Sequence, residues 1–483
     1  MIWVLALILT LAAGWMLARV MMPAVFAGAR PAVRLGVEFG LAVLIGPGLS
    51  SAFFWVLPLT GRFDTLTTLL VAGVFTAAAT GIYLRFRPPV TENAVPHSFP
   101  WTWILWIAFA LACVFVVLDF SAATKANPNG DWDAWAIWNM RAKFLAGGSG
   151  MWHRALAAEA GGSMLGSSHP GYPLCLSAYI AALWTVSGDY TSAVPITVSL
   201  LVSAALVVLL AASLAALRST SIGLLAGVIL AGTELYSSQT AWQYSDLLEG
   251  LAFLASVVLL AAIWNDPAPS RRTLIALGLS AGLAPWIKNE GIPFAAALLA
   301  LIVWRWRFRG LPWAALGALP GLAATLSVKL LAVGREGVLP GSAREAVTKI
   351  LDVSRWWQTL SGLITAVWQL GFWWAHPVLL VVILAWALGF VPSRERWTRA
   401  WLAFPLIAAI AADFGVFLVT RAGLDWHLKT SATRLVIQLW PPALWVFLSV
   451  LRTPDDHFPA RVQTSEPPPD KAQGRKRRAK TSD

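Results

Sequence analysis

Charge and cysteine are what this sequence has least of. Only 12% of its 483 residues are Asp, Glu, Lys or Arg, about half the share in a soluble domain. That excludes an ordinary water-soluble globule. Two cysteines are present, Cys113 inside an apolar run and Cys175 at the start of another. Their number and spacing exclude a disulfide framework and a zinc site. No internal repeat is visible, which weighs against the repeat-built transporters. Met1 to Val20 lacks a basic stretch ahead of its apolar run, so it reads as a first span and not as a cleavable signal.

Apolar surface is what is there. Hydrophobic residues make up 58% of the chain, and runs close to 20 residues recur along it; each is a candidate spanning helix. The 28 Trp exceed what packing requires, and many fall near span ends, where amphipathic rings sit at headgroup level. The expected fold class is an all-α polytopic membrane protein. The net charge of +12 does not point to nucleic acid. Its cations lie mainly in short loops and the tail, where they report orientation and attraction to anionic lipid.

About 13 spans are expected: 2–20, 36–57, 65–84, 101–119, 192–215, 220–235, 245–264, 273–287, 292–304, 311–333, 376–391, 400–420 and 435–452. Tyr172 to Ser187 is short for a crossing and is expected to dip or lie along the interface, as is a Trp-rich helix near 358–374. Arg19, Arg30, Arg34, Arg85 and Arg87 put the first loops on the cytoplasmic side. Arg218, Arg271, Arg272, Arg305, Arg307, Arg309, Arg394, Arg396 and Arg399 continue the alternation. The chain then divides into N-terminal spans (1–120), an extracytoplasmic catalytic loop with interfacial helices (121–191), the remaining bundle (192–452) and a basic tail (453–483). The tail is Pro-rich, then basic at Arg475 to Arg478, and reads as disordered in the cytoplasm.

The chemistry centres on Asn127 to Leu145, NPNGDWDAWAIWNMRAKFL. Pro128 and Gly130 break the arriving helix, and a new one is expected from Asp133 to the Gly147–Gly148 pair. Asp133, Ile137 and Arg141 then share a face, with Asp133 and Arg141 about 12 Å apart along the axis. Trp135, Trp138, Ala142 and Leu145 form a second stripe suited to a membrane surface. A carboxylate and a cation placed so could bracket a lipid-linked phosphate; the competing reading is that Asp133 only caps the helix. The same topology collects Asp131 and Lys143, His169 and Tyr172 in SHPGYP, Tyr244 and Asp246, Lys288 and Glu290 in WIKNEG, and a last outer loop carrying Asp425, His427, Lys429 and Arg434. Singly each has a bland reading as a cap, a turn residue or a solvated tip. Their convergence on the outer side is harder to dismiss.

These motifs resemble the polytopic glycosyltransferases of the GT-C class. The resemblance rests on the acidic turn, the W-x-x-R-A-K helix at Trp138 to Lys143, H-P-x-Y-P at His169 to Pro173 and the Lys-Asn-Glu-Gly turn at Lys288 to Gly291. It covers roughly 100–450 and is similar to the branch related to protein mannosyltransferases, in which two acidic residues are adjacent; here Trp132 separates them. The large C-terminal soluble domain of oligosaccharyltransferases is missing. The resemblance implies a GT-C-like bundle with a large first outer loop, in a bacterial cytoplasmic membrane. It also implies an extracytoplasmic site taking a sugar from a polyprenyl-phosphate or diphosphate donor to a glycan, lipid or protein acceptor.

That chemistry needs one carboxylate to take the acceptor proton, and no second acid, because phosphate leaves unprotonated. Asp133 is the expected base and Asp131 the alternative. Arg141, Lys143, Lys288 and Arg434 are the cations available for phosphate. His169, Tyr172, Asp246, Glu290 and His427 complete the expected substrate-binding set. No cofactor is expected: a divalent metal between Asp131 and Asp133 is conceivable but thinly signed. The alternative from another class is a transporter or flippase, which would use intramembrane Glu38, Glu249, Lys329 and Asp413.

Overall fold

A computed structural model describes residues 2–87, 101–148, 150–156, 169–332, 340–371 and 375–457. Its regular elements are all helices, and no strand occurs among the described residues. Among the described residues, eight helices are long and apolar enough to cross a membrane, or nine if one bent pair counts as a span. The chain is an all-α, multi-pass membrane protein. The expected tail lies, from residue 458 onward, outside the described residues, as do 157–168 of the central loop.

Several expected boundaries shift, each for a local reason. The span expected at 220–235 is two helices, Thr220–Ala231 and Glu234–Trp242, bent by 65° where Gly232 and Thr233 interrupt the apolar run. The spans expected at 292–304 and 311–333 form one element, Gly291–Leu331, broken at Arg307, whose φ of 56° and ψ of −155° are not helical. The segment expected to dip or lie along the interface is the Cys175–Ser187 helix, about 20 Å long at its 13 residues. It is almost wholly buried and packs on the Pro31–Leu59 and Asn139–Ala146 helices. The amphipathic pair Ala343–Leu351 and Val353–Trp368 carries exposed Trp356, Trp357 and Trp368. Ser342 and Asp352 cap it, accepting from the Glu345 and Ser354 backbone N–H groups.

The last expected outer loop is not a loop. Leu424 to Ser449 is one helix, because LDWHLKTSATRLVIQLW contains no Gly or Pro. Leu424, Leu428, Ala432 and Leu435 recur at helical spacing and bury a face against Ala366 and Phe417. This carries Arg434 inward on a rigid element.

Two helices set the position of the Lys288–Glu290 turn. Arg271–Ile287 and Gly291–Leu331 meet backbone to backbone through Gly278 and Gly282 on one and Gly317 and Gly321 on the other. A methyl at Gly278 would lie 1.9 Å from the Ala314 carbonyl oxygen, and one at Gly317 would lie 2.0 Å from that of Ile275. Small residues at this spacing let spanning helices approach closely where lipid provides no hydrophobic drive between them.

Candidate active site

The acidic turn is docked on a second corner of the chain, Trp242 to Tyr244. Gly130 takes φ +76°, and a Cβ there would lie 2.6 Å from the Trp242 carbonyl oxygen, so only glycine fits this turn. The Asp131 N–H donates to that carbonyl (3.2 Å), the Gln243 side chain donates to the Pro128 carbonyl (3.0 Å), and Asn139 donates to Gln243 (3.0 Å). Tyr244 then joins the two acids: its hydroxyl accepts from the Asp133 N–H (3.1 Å) and donates to the Asp131 carboxylate (3.2 Å). Burial pushes the Tyr244 phenol up from its ordinary value, so it stays a donor.

Asp133 stands at the head of the expected helix, yet its side chain makes no capping hydrogen bond. Its Oδ2 instead pairs with Nη1 of Arg434 at 2.5 Å. Arg434 uses Nε to hold Asp246 at 3.1 Å, and its guanidinium lies over the Tyr244 ring, 5.0 Å from the centroid. Asp246 is fully buried. Its Oδ1 accepts from Lys288 (2.8 Å) and from Gln438 (2.7 Å), which follows Arg434 by one helical turn. Lys288 continues to Glu290 at 3.0 Å. A line of charge thus runs Asp133, Arg434, Asp246, Lys288, Glu290, drawn from four separate stretches of chain.

Arg434, Lys288 and Glu290 of this line form the polar head of a cleft of about 420 Å³, while Asp133 and Asp246 pair with its cations without lining it. Arg434, Lys288, Glu290, Tyr172, His427 and Asp413 line its wall, and apolar side chains such as Ile292, Val416 and Leu435 line the rest. His169 and Tyr172 reach the site as a stack: the two rings lie 4.7 Å apart, and Tyr172 lies 6.0 Å from Trp138. His169 has φ +48°, an uncommon conformation for a side-chain-bearing residue. Burial holds its imidazole below the ordinary value; Asp133 opposes the shift, while Arg434 and Arg141 add to it.

Two expected phosphate ligands lie elsewhere. Arg141 is completely buried, and its guanidinium donates to the carbonyls of Ala155, Pro170 and Pro173. It fastens the central loop and does not line the cleft. The helix opens with a π turn at Ala134–Trp138, so the angular spacing of an unbroken α-helix does not hold between Asp133 and Arg141. The same turn buries Trp138, Ala142 and Leu145 and leaves Trp135 exposed, so the second stripe does not face a membrane surface. Lys143 is exposed and lies over Tyr190 at 5.7 Å, outside the cleft. Gln438 was not among the expected site residues; its only signal is its place one turn after Arg434. Lys329, read from sequence as an intramembrane charge, donates to Asn289 (2.7 Å) and to the Gly171 carbonyl (2.5 Å), tying the central loop to the Lys288–Glu290 turn.

No protein family matches this chain, and neither the curated proteins nor the solved structures yield a match. The groups in the cleft are therefore the evidence for its chemistry. Among the described residues no group of three or more His, Cys, Asp or Glu side chains is placed to hold a metal ion. The cleft offers two fixed cations, Arg434 and Lys288, facing an apolar trough, with carboxylates behind them. Such a site can receive a ligand that is anionic at one end and greasy at the other.

Proposed function

We propose that this protein is an integral membrane glycosyltransferase that moves a sugar from a polyprenyl-phosphate or diphosphate donor to an acceptor on the extracytoplasmic face, with inversion. The observation that carries the reading is Arg434, which faces the apolar cleft while holding Asp133 and Asp246. The motif resemblance to GT-C enzymes points the same way, and with it to a GT-C-like bundle of about 13 spans.

In this reading the cleft takes the first units of the polyprenyl chain and Arg434 and Lys288 take the phosphate oxygens. The resting site is already rich in acid, so an arriving phosphate competes with Asp133 for Arg434. Its arrival frees Oδ2 of Asp133 beside the reacting centre. The acceptor oxygen then forms its bond to the anomeric carbon as its proton passes to Asp133. The bond from that carbon to the phosphate oxygen breaks, and its electron pair leaves with the phosphate, held by the two cations. Asp131, tied to Tyr244, orients the turn and the acceptor. No metal or other cofactor enters this scheme.

Single-turnover transfer from a polyprenyl-phosphate sugar in nanodiscs tests it. Asp133→Asn keeps the shape and removes the base, so the rate is expected to fall on the order of 100- to 10,000-fold. Donor binding is retained or tightened, because the side chain that competes for Arg434 has lost its charge. Wild-type rates in both Asp133→Asn and Asp131→Asn would sink the catalytic reading.

One observation favours a second reading, a transporter. Glu249 is fully buried on the Asp246–Ile263 helix, and neither of its carboxylate oxygens has a hydrogen-bond partner among the described residues. Buried carboxylates in spans mark proton or ion routes in transporters. Substrate movement in liposomes that Glu249→Gln abolishes, with no sugar transfer in the wild type, would decide for it.

A further inference from the structure

A second polar cavity lies at the other end of the helices that build the cleft. The Asp246–Ile263 helix begins at the charged line, and Trp264, at its far end, lines this cavity. Eighteen residues at 1.5 Å each separate Asp246 from Trp264 by about 27 Å, close to the thickness of a bilayer's hydrocarbon core. Ser449, at the end of the helix that carries Arg434, lines the same cavity. The two sites therefore open toward opposite faces.

The cavity has a volume of about 560 Å³. Three arginines line it, Arg218, Arg394 and Arg399, against one carboxylate, Glu395. Glu395 is shared, 3.6 Å from Arg218 and also paired with Arg399. Arg218 and Arg399 are fixed further by donating to the Leu451 and Ser449 carbonyls at the end of the last long helix. Asp456 acts on Arg218 from the side, which still leaves an excess cation. Two donor groups remain. Nε of Arg218 is buried and has no partner among the described residues. The Arg394 guanidinium, on the cavity wall, makes no hydrogen bond or ion pair to any described residue. Next to the cavity, Trp264 lies 6.2 Å from Trp304, whose ring lies tilted 4.5 Å from that of Trp401; Trp304 and Trp401 are half exposed. Rings of this kind mark headgroup depth.

We propose that this cavity binds the phosphate headgroup of an anionic phospholipid in the leaflet opposite the candidate active site. A phosphodiester supplies the acceptor oxygens that Arg218 and Arg394 lack, and arginine forks match its geometry. The apolar part of the wall, Leu217, Ala261 and Leu402, continues from the headgroup toward the acyl chains.

The test is lipid retention by the full chain in nanodiscs of phosphatidylcholine with or without phosphatidylglycerol, read by native mass spectrometry. The wild type is expected to retain phosphatidylglycerol selectively. Arg394→Gln should retain it on the order of tenfold less, the loss of one charge-assisted hydrogen bond, and Arg394→Lys should restore part of it. Because Arg394 supports no described contact, the melting temperature of Arg394→Gln in pure phosphatidylcholine should match the wild type. Equal retention in wild type and Arg394→Gln, or equal retention of the two lipids, overturns the proposal. Free glycerol 3-phosphate separates the two sources of phosphate. If it does not displace the lipid, the headgroup assignment stands; if it binds in phosphatidylcholine discs and displaces the lipid, the site serves a soluble phosphate ester and the lipid assignment fails.

Discussion

Asp133 and Arg434 are 301 residues apart in sequence and share an ion pair in which Arg434 also holds Asp246. One guanidinium therefore couples the acidic turn to the bundle. This gives the turn a fixed place that its own backbone, anchored only at the Trp242–Tyr244 corner, does not supply.

That coupling is measurable without any substrate. Asp133→Asn and Arg434→Gln, singly and together, form a double-mutant cycle in unfolding stability. Residues sharing one network are expected to show a coupling of about 0.5–3 kcal/mol. Because both side chains keep some solvent contact, 14% for Asp133 and 16% for Arg434, a value toward the lower half is expected. Strict additivity would mean that the pair does not form.

Asp246 should behave differently. It is fully buried and accepts from Arg434, Lys288 and Gln438, so its carboxylate is closed to substrate. It positions the two cations. Asp246→Asn leaves buried Lys288 and partly exposed Arg434 without their shared counter-charge, a change that costs about 3 kcal/mol. Thermal unfolding in detergent reads this directly. A variant as stable as wild type would show that Arg434 and Lys288 are held by something else.

Much of this site was legible in the sequence, and the losses have local causes. The acidic turn, the Lys288–Glu290 turn and Arg434 were found because polar residues are scarce in an apolar chain and each stands out. Arg141 was misplaced because i, i+4, i+8 spacing assumes an unbroken α-helix, and the π turn at Ala134–Trp138 changes the angle. Arg434 reads as a loop residue because the charged start of Leu424–Ser449 lowers its hydropathy, although LDWHLKTSATRLVIQLW holds no Gly or Pro. The bend between Ala231 and Glu234 falls where the apolar run gives way to the more polar ELYSSQTAW, inside the expected 220–235 span. Pairings such as Asp246 with Gln438 depend on tertiary packing and carry no sequence signal.

The His169 stack predicts a pH response with a definite sign. Its imidazole, buried among Asp133, Arg434, Arg141 and Glu290, is held below the ordinary value. The unfolded chain titrates near about 6.5, so below that pH the unfolded state binds a proton that the folded state does not. Stability is then undiminished above about pH 6.5 and falls as the pH drops through the window beneath it. His169→Asn tolerates the positive φ and should flatten the difference in melting temperature between neutral and mildly acidic buffer. An unchanged slope would assign the response to another group.

The last prediction fixes the orientation. The Arg-rich loops at Arg305 to Arg309 and Arg394 to Arg399 mark the cytoplasmic side by the positive-inside tendency. Ser449 lies at the Arg394–Arg399 end of the helix that carries Arg434, and the two are about 22 Å apart along it. The acidic turn is pinned to Arg434, so it lies on that residue's side of the helix, away from the Arg394–Arg399 end. Reporter fusions at Gly150 and Leu428 should therefore report the extracytoplasmic side, and fusions at Phe308 and Arg396 the cytoplasmic side. If Gly150 and Leu428 reported opposite sides, the ion pair between Asp133 and Arg434 could not form in the membrane and the cleft would lose its base. If all four fusions were inverted together, the site would stay intact but would face the cytoplasm, and a donor presented on the outer face could not be its substrate.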